Sequence, residues 1–272
     1  MRKIPARLHV LLARNAPVGV VFRRGPAKCV CSVLWNRKTD EFTIGQWLNG
    51  RIYERRSDLS SDGKHLIYFA LNGRWNSETN GTWTAVSVAP WLKAIVLLGK
   101  GDCWNGGGLF TSEKTYWLND GYGHRLIRDT VEVQRDKSYL PFAHYNNECL
   151  GVYYVRLQRD GWIMRVADST SDCTVFEKLL PNGWILRKYA HAGCNSPPGK
   201  GCYWDEHELE HANAAAQIDG AKWEWAELDR DDLVWAEAGC LFRATIQPDG
   251  LGERKLLHDF NGMKFEALEA PY

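Results

Sequence analysis

"DLSSDGKHLIYFALNG", residues 58–73, decides the fold class. A polar Ser61-Asp62-Gly63 turn is followed by His65-Leu66-Ile67-Tyr68-Phe69-Ala70, a β-branched and aromatic run, and then by a second turn signal at Asn72-Gly73. Gly after Asp or Asn supplies the left-handed backbone that tight turns need, and a short apolar run between two such signals reads as a strand of a hairpin.

The same grammar extends in both directions. "VGVVFRR" precedes Gly25-Pro26, "KCVCSVLWN" precedes "RKTD", and "EFTIGQWL" precedes Asn49-Gly50. Downstream, "LFTSEKTYWLNDG" (109–121), "RLQRDGWIMRVAD" (156–168) and "ELDRDDLVWAEAGCLFRATIQPDG" (227–250) each set a polar turn before a β-rich run. Leu66, Tyr116, Ile163 and Val234 mark the runs at intervals of 50, 47 and 71 residues. The first two approach the roughly 40–50 residues of a four-stranded propeller blade, and the third leaves room for an insertion. Thirteen Trp, 11 Tyr and 9 Phe scattered along 272 residues also favour strands. The expected architecture is all-β, a propeller of about five blades forming one domain over residues 1–272, with an antiparallel sandwich or barrel as the alternative.

"LSSDGKHLIYF" resembles the turn and strand of WD40-like repeats of the TolB type, and "LVWAEAGCLFRATI" looks like the adjoining strand pair of such a blade. The chain as a whole resembles an uncharacterised bacterial family. This resemblance implies ring closure, with "ARLHVLLAR" near "KFEALEAPY". Charge agrees with closure: residues 1–56 carry twelve Arg or Lys against three Asp or Glu, whereas residues 203–272 carry six against sixteen.

Within the 71-residue interval lies "DEHELEHANAAAQ", read as a short helical insertion near residues 205–218, with Asp205 as its cap. His207-Glu208-Leu209-Glu210-His211 fits the H-E-x-x-H spelling of a zinc hydrolase. On a helix, His207 and His211 share one face, Glu208 activates a bound water, and Glu227 or Glu224 supplies a third ligand. Charged Glu210 and the polar lead "YWDE" depart from that family's pattern. A second set, His191, Cys194, Cys202, His207 and His211, has ligand types suited to structural zinc but matches no standard finger spacing. The expectation is therefore no cofactor, with zinc as the alternative.

A glycine run in "GDCWNGGGLF" (101–110) lacks the Lys-Ser/Thr ending of a phosphate loop and reads as a connection between strands. Cys103, His124 and Asp120 contain the groups of a nucleophile, base and orienting acid. Arg74, Trp75, Trp104, Trp117, Asp120, Tyr122 and His124 fall in turn-rich segments, where large aromatics read as a recognition surface. Asp102, Asp120 and Asp205 are the carboxylates available to a carbohydrate-active site.

The leading functional expectation is a non-enzymatic module that presents these aromatic loops to a protein partner. A zinc-dependent metallohydrolase using the HELEH segment and a carbohydrate-binding or carbohydrate-active propeller are the alternatives. No apolar run approaches membrane-spanning length, no nucleic-acid motif accompanies the basic N-terminal segment, and the N-terminus reads as a strand rather than a signal peptide. With eight cysteines in no dense framework, a cytoplasmic location is expected.

Overall fold

Turn signals and alternating apolar runs become antiparallel ladders in the computed structural model, which describes residues 4–25, 28–143, 145, 149–167, 172–193, 196–212 and 216–272. The protein is all-β, with several antiparallel sheets and, among the described residues, one α-helix and no closed barrel. By internal contacts the chain divides into two compact units: Val10–Arg156 with Met263–Tyr272, and Met1–His9 with Leu157–Gly262.

Strands β1 (Arg7–Leu12), β2 (Val18–Arg24), β3 (Cys29–Asn36) and β4 (Glu41–Asn49) form the first sheet in sequence order. The next sheet orders β12-β9-β8-β7-β5, with β6 also paired to β7: β5 (Arg51–Ile52), β6 (Asp58–Leu59), β7 (His65–Leu71), β8 (Thr82–Val88), β9 (Ala94–Gly99) and β12 (Arg125–Arg128). The opening stretch is thus β6, a Ser-Asp-Gly turn and β7. Gly63 takes a positive φ of 76°, and Asp62 Oδ1 accepts from the Ser60 hydroxyl at 2.6 Å. Asn72-Gly73 opens a longer loop, and β8 begins only at Thr82. A third sheet joins β10 (Gly108–Phe110) and β11 (Thr115–Leu118), with β13 (Gln134–Arg135) parallel to β11.

Leu11, Val20, Phe22, Val30, Ile52, Leu59, Leu66, Tyr68 and Ala85 make one core of the N-terminal unit, and Ile67, Val86, Val96, Phe110, Tyr116 and Leu118 make a second. Each large apolar side chain so buried contributes about 1.5–3 kcal/mol. Because Leu66 and Tyr68 face one core and Ile67 the other, β7 is apolar on both faces and reads as a continuous run.

Residues 263–272 return to this unit without regular structure. Gln46 Oε1 accepts from the amides of Leu92 (2.7 Å) and Lys93 (2.9 Å), while Gln46 Nε2 donates to the Leu268 carbonyl at 2.9 Å. The Tyr272 hydroxyl donates to the Lys93 carbonyl at 2.6 Å, and Phe265 packs on Trp47.

The helix α1 (Leu150–Arg159) ends within the segment expected, from residue 156 onward, to be a polar turn. It ends at Gly161, which takes φ 90° while its amide donates to Gln158 O and that of Trp162 donates to Leu157 O, a Schellman arrangement.

In the C-terminal unit β14 (Ile163–Ala167), β15 (Cys173–Leu179), β16 (Trp184–Ala192), β17 (Tyr203–His211) and β18 (Gln217–Gly220) form a five-stranded meander. A second meander contains β19 (Trp225–Asp229), β20 (Asp232–Glu237), β21 (Cys240–Gln247), β22 (Gly250–Leu251) and β23 (Lys255–Asp259). The helical insertion expected near residues 205–218 is corrected here. Residues 203–211 are strand β17 and 217–220 strand β18, while residues 213–215 lie outside the described residues.

The physical reason is alternation. Asp205, His207 and Leu209 are buried, whereas Glu206, Glu208 and Glu210 are partly exposed, a period of two rather than 3.6. The outward glutamates meet β16: Arg187 pairs with Glu210, and the Tyr189 hydroxyl donates to Glu208 at 2.5 Å. These cross-strand partners override the helix-forming bias of the segment.

Candidate functional site

Strand geometry dissolves the zinc constellation. Residues four apart on a strand lie about 13 Å apart, so His207 and His211 cannot ligate one ion, and Glu208 points to the opposite face. His207 Nδ1 donates to the Trp223 carbonyl at 2.8 Å, which leaves Nε2 to accept from Lys188 Nζ at 2.9 Å. His211 meets Trp184 edge-on and the Asn182 carbonyl at 3.0 Å. Glu227 accepts from Trp162 Nε1 at 2.8 Å and from Lys178 Nζ at 2.6 Å. His191 stacks on Trp204 at 3.7 Å, seven residues along β16 from the partner of His211, and Cys194 lies outside the described residues. Among the described residues, no three His, Cys, Asp or Glu are arranged to hold a metal.

The recognition residues fare differently. Of three connections of the N-terminal unit, residues 72–81, 100–107 and 119–124, the last two are hydrogen-bonded to each other, and flanking strand residues hold the first and second through Thr82 and Arg125. Thr82 Oγ1 donates to the Asp102 carbonyl at 2.7 Å and accepts from the Gly101 amide at 2.9 Å. The Gly106 amide donates to Asn119 O at 2.8 Å, and the Asn119 amide donates to Gly107 O at 3.0 Å. Lys100 donates to the Tyr122 carbonyl, and Arg125 donates to Glu78 O at 2.5 Å. Asn105, Gly106 and Gly107 all have positive φ, and a Cβ on Gly107 would stand 1.8 Å from the Arg56 carbonyl oxygen, which explains the glycine run.

These tied loops carry Arg74, Trp75, Trp104, Asp120, Tyr122 and His124. Trp75 is 54% exposed, Trp104 68% and Tyr122 87%. The Trp75 ring packs against Gly81, where a Cβ would come within 2.7 Å of it. Trp117 is on β11, half-buried against Tyr139 with ring centroids 6.1 Å apart.

Asp120 and His124 form the polar centre. His124 Nδ1 donates to Asp120 Oδ1 at 2.8 Å, so Nε2 accepts from the Thr84 hydroxyl at 3.0 Å, and Thr84 Oγ1 accepts from the Gly107 amide at 2.9 Å. Thr84, rather than Cys103, is the hydroxyl or thiol partner of this imidazole, while Cys103 bonds the Tyr53 hydroxyl, whose pKa burial and that bond push up to about 12. Carboxylate, imidazole and hydroxyl in series are the parts of a nucleophilic triad, but the Thr84 and His124 side chains are closed to solvent. In this structure the series fastens the 119–124 loop to β8. Burial holds the His124 imidazole below its ordinary pKa despite Asp120. Burial also opposes ionisation of Asp120, but its His124 and Arg135 donors outweigh that and hold the carboxyl below its usual range.

Beside these groups opens a cavity of about 420 Å³ lined by Asn105, Trp117, Leu118, Asn119, Asp120 and Gly121 on one side and by residues 135–137, 139 and 140 on the other. Arg135 donates to Asp120 Oδ2 at 3.0 Å. Thr84, Arg135, Lys137 and Tyr139 were not among the residues read from sequence. They arrive through the β8 ladder and through the parallel pairing of β13 with β11, neither of which has a local spelling.

No family model matches the chain, and no curated protein matches it. Among solved structures it is similar to the uncharacterized protein lmo1340 from Listeria monocytogenes EGD-e, at 7% identity and a TM-score of 0.27, over 94% of this chain and 67% of that one. A likeness at that level assigns neither fold nor function.

Proposed function

We propose that this chain is a non-enzymatic, propeller-like interaction module that presents the aromatic loops of its N-terminal unit to a protein partner. The observation that carries the reading is the display of Trp75, Trp104 and Tyr122, largely exposed, on three connections held by hydrogen bonds to one another or to their flanking strands. Rigid aromatics lose little conformational entropy on docking, and Trp, Tyr and Arg dominate binding hot spots. The propeller-like part of the reading is supported by sheets built mainly from sequence-adjacent strands, as radial repetition requires. Among the described residues no helix is long and apolar enough to cross a membrane.

A photoreactive phenylalanine analogue at position 104, irradiated in living cells, tests the reading. The expected result is one discrete protein adduct, greatly reduced when Trp75 and Tyr122 are both changed to alanine. A diffuse set of adducts that the double substitution leaves unchanged would overturn it.

A further inference from the structure

We propose that the cavity beside β11 binds a small carboxylate carried on a flat apolar body. The inference goes beyond protein docking: it concerns the recess next to the exposed aromatics and a ligand that needs no protein attached.

The cationic donors at the cavity are less engaged than its carboxylates. Both Asp120 oxygens already accept, from His124 and from Arg135. Asp136 Oδ1 accepts from the Ser138 amide and hydroxyl and from the Tyr139 amide, and Oδ2 accepts from Thr111. The donors are far less engaged. Arg135 spends one N–H on Asp120, and among the described residues Lys137 Nζ and the Trp117 indole N–H have no hydrogen-bond partner. Open cationic donors in the lining favour a ligand that brings a charged acceptor.

Charge narrows the class further. Arg135 and Lys137 balance Asp120 and Asp136, so the lining tolerates a monoanion but penalises a phosphate dianion set beside two carboxylates. Arg135 is held by Asp120 and presents the rest of its planar fork, the geometry a carboxylate matches with two parallel hydrogen bonds. Trp117, Tyr139, Leu118 and Leu140 supply apolar surface for a ring. The volume of about 420 Å³ falls within the ~300–1,000 Å³ usual for small-ligand sites.

The test is a titration of the whole chain, labelled with nitrogen-15, with phenylacetate and separately with its neutral isostere phenylacetamide, following the Trp117 indole resonance assigned from Trp117→Phe. Phenylacetate is expected to shift it saturably, with the amide about tenfold weaker, and Arg135→Gln and Lys137→Ala each to weaken the acid about tenfold. Lys137 is exposed and makes no contact whose loss would unfold the chain, so its variant keeps the test decisive if Arg135→Gln fails to fold. N-acetylglycylphenylalanine with a free carboxylate, run in parallel, separates the two sources of this chemistry: tighter binding than phenylacetate assigns a chain terminus, weaker binding a free acid. The triple change Trp75→Ala, Trp104→Ala, Tyr122→Ala is expected to retain probe binding, so loss of the docking reading would leave this one standing. Equal affinity for acid and amide, no shift of the Trp117 resonance, or indifference to both cation substitutions would overturn the proposal.

Discussion

Replacing His207 with alanine strikes the point at which the strand and helix readings of HELEH diverge most. On β17 His207 is 2% exposed and lies directly opposite Lys188, which is 1% exposed. The ring donates to Trp223 O and accepts from Lys188 Nζ, which also sits 4.7 Å above the Trp162 ring. Truncation removes the donor to a buried carbonyl and an acceptor from a buried ammonium. Each buried polar group so deprived costs about 1–3 kcal/mol, more where it is charged, giving roughly 3–5 kcal/mol in all. His211→Ala removes one bond to Asn182 O and an edge contact with Trp184 at a partly exposed position, and is expected to cost about 1 kcal/mol. Urea unfolding followed by tryptophan fluorescence measures both, with Lys188→Met completing a double-mutant cycle that should show coupling of about 1–2 kcal/mol. A cost for His207→Ala no greater than for His211→Ala, or additivity with Lys188→Met, would refute the buried pair.

Gly107→Ala is expected to destabilise the chain by about 3 kcal/mol or more, because φ is 71° and the new Cβ would meet Arg56 O at 1.8 Å. Gly262→Ala, with nothing within 4 Å, is the matched control, and equal melting temperatures for the two would contradict the loop geometry. Burial lowers the pKa of His124, which faces Asp120, Lys100 and Arg135, and lowers those of His65 and His258, all from an ordinary 6.5. The unfolded chain therefore takes up protons that the folded chain refuses just below that value, so stability falls as pH drops through about 6.5 and further where depressed carboxyls such as Asp120 protonate. Urea midpoints measured from about pH 7.5 down to pH 5 check this, and a flat or rising profile would contradict it. Treatment with EDTA is expected to leave the melting temperature unchanged, whereas a fall of more than about 5 °C would restore a structural metal to the account.

The strands were legible wherever turn chemistry bounded them. The runs at 18–24, 28–36, 41–48 and 65–70 coincide to within a residue with β2, β3, β4 and β7, because Gly, Asn and Asp announce their own backbone angles locally. At 203–211 good helical residues and a capping pattern concealed an alternation already written as E-H-E-L-E-H, and only the basic and aromatic partners on β16 decide in its favour. Of the helix at 150–159, only its end falls within the polar turn expected from residue 156 onward, and the apolar Val152, Tyr153 and Val155 carry no turn signal that marks where it starts. In the candidate site the loop residues were legible from their aromatic character. Thr84 and Arg135 were not, since a residue's place beside His124 or Asp120 depends on ladder register across distant segments.

The Gln46 bridge to Leu268 has a bearing on the order in which the protein can be made. Residues 263–272 complete the packing around β4 and the segment ending at Lys93, yet the ribosome delivers them only after all of 157–262 has emerged. The earlier-synthesised unit therefore waits, with Trp47 lacking its Phe265 partner and the amides of its 88–93 turn only partly engaged, while the later one folds. A fragment stopping at residue 156 would reproduce that waiting state rather than the finished unit.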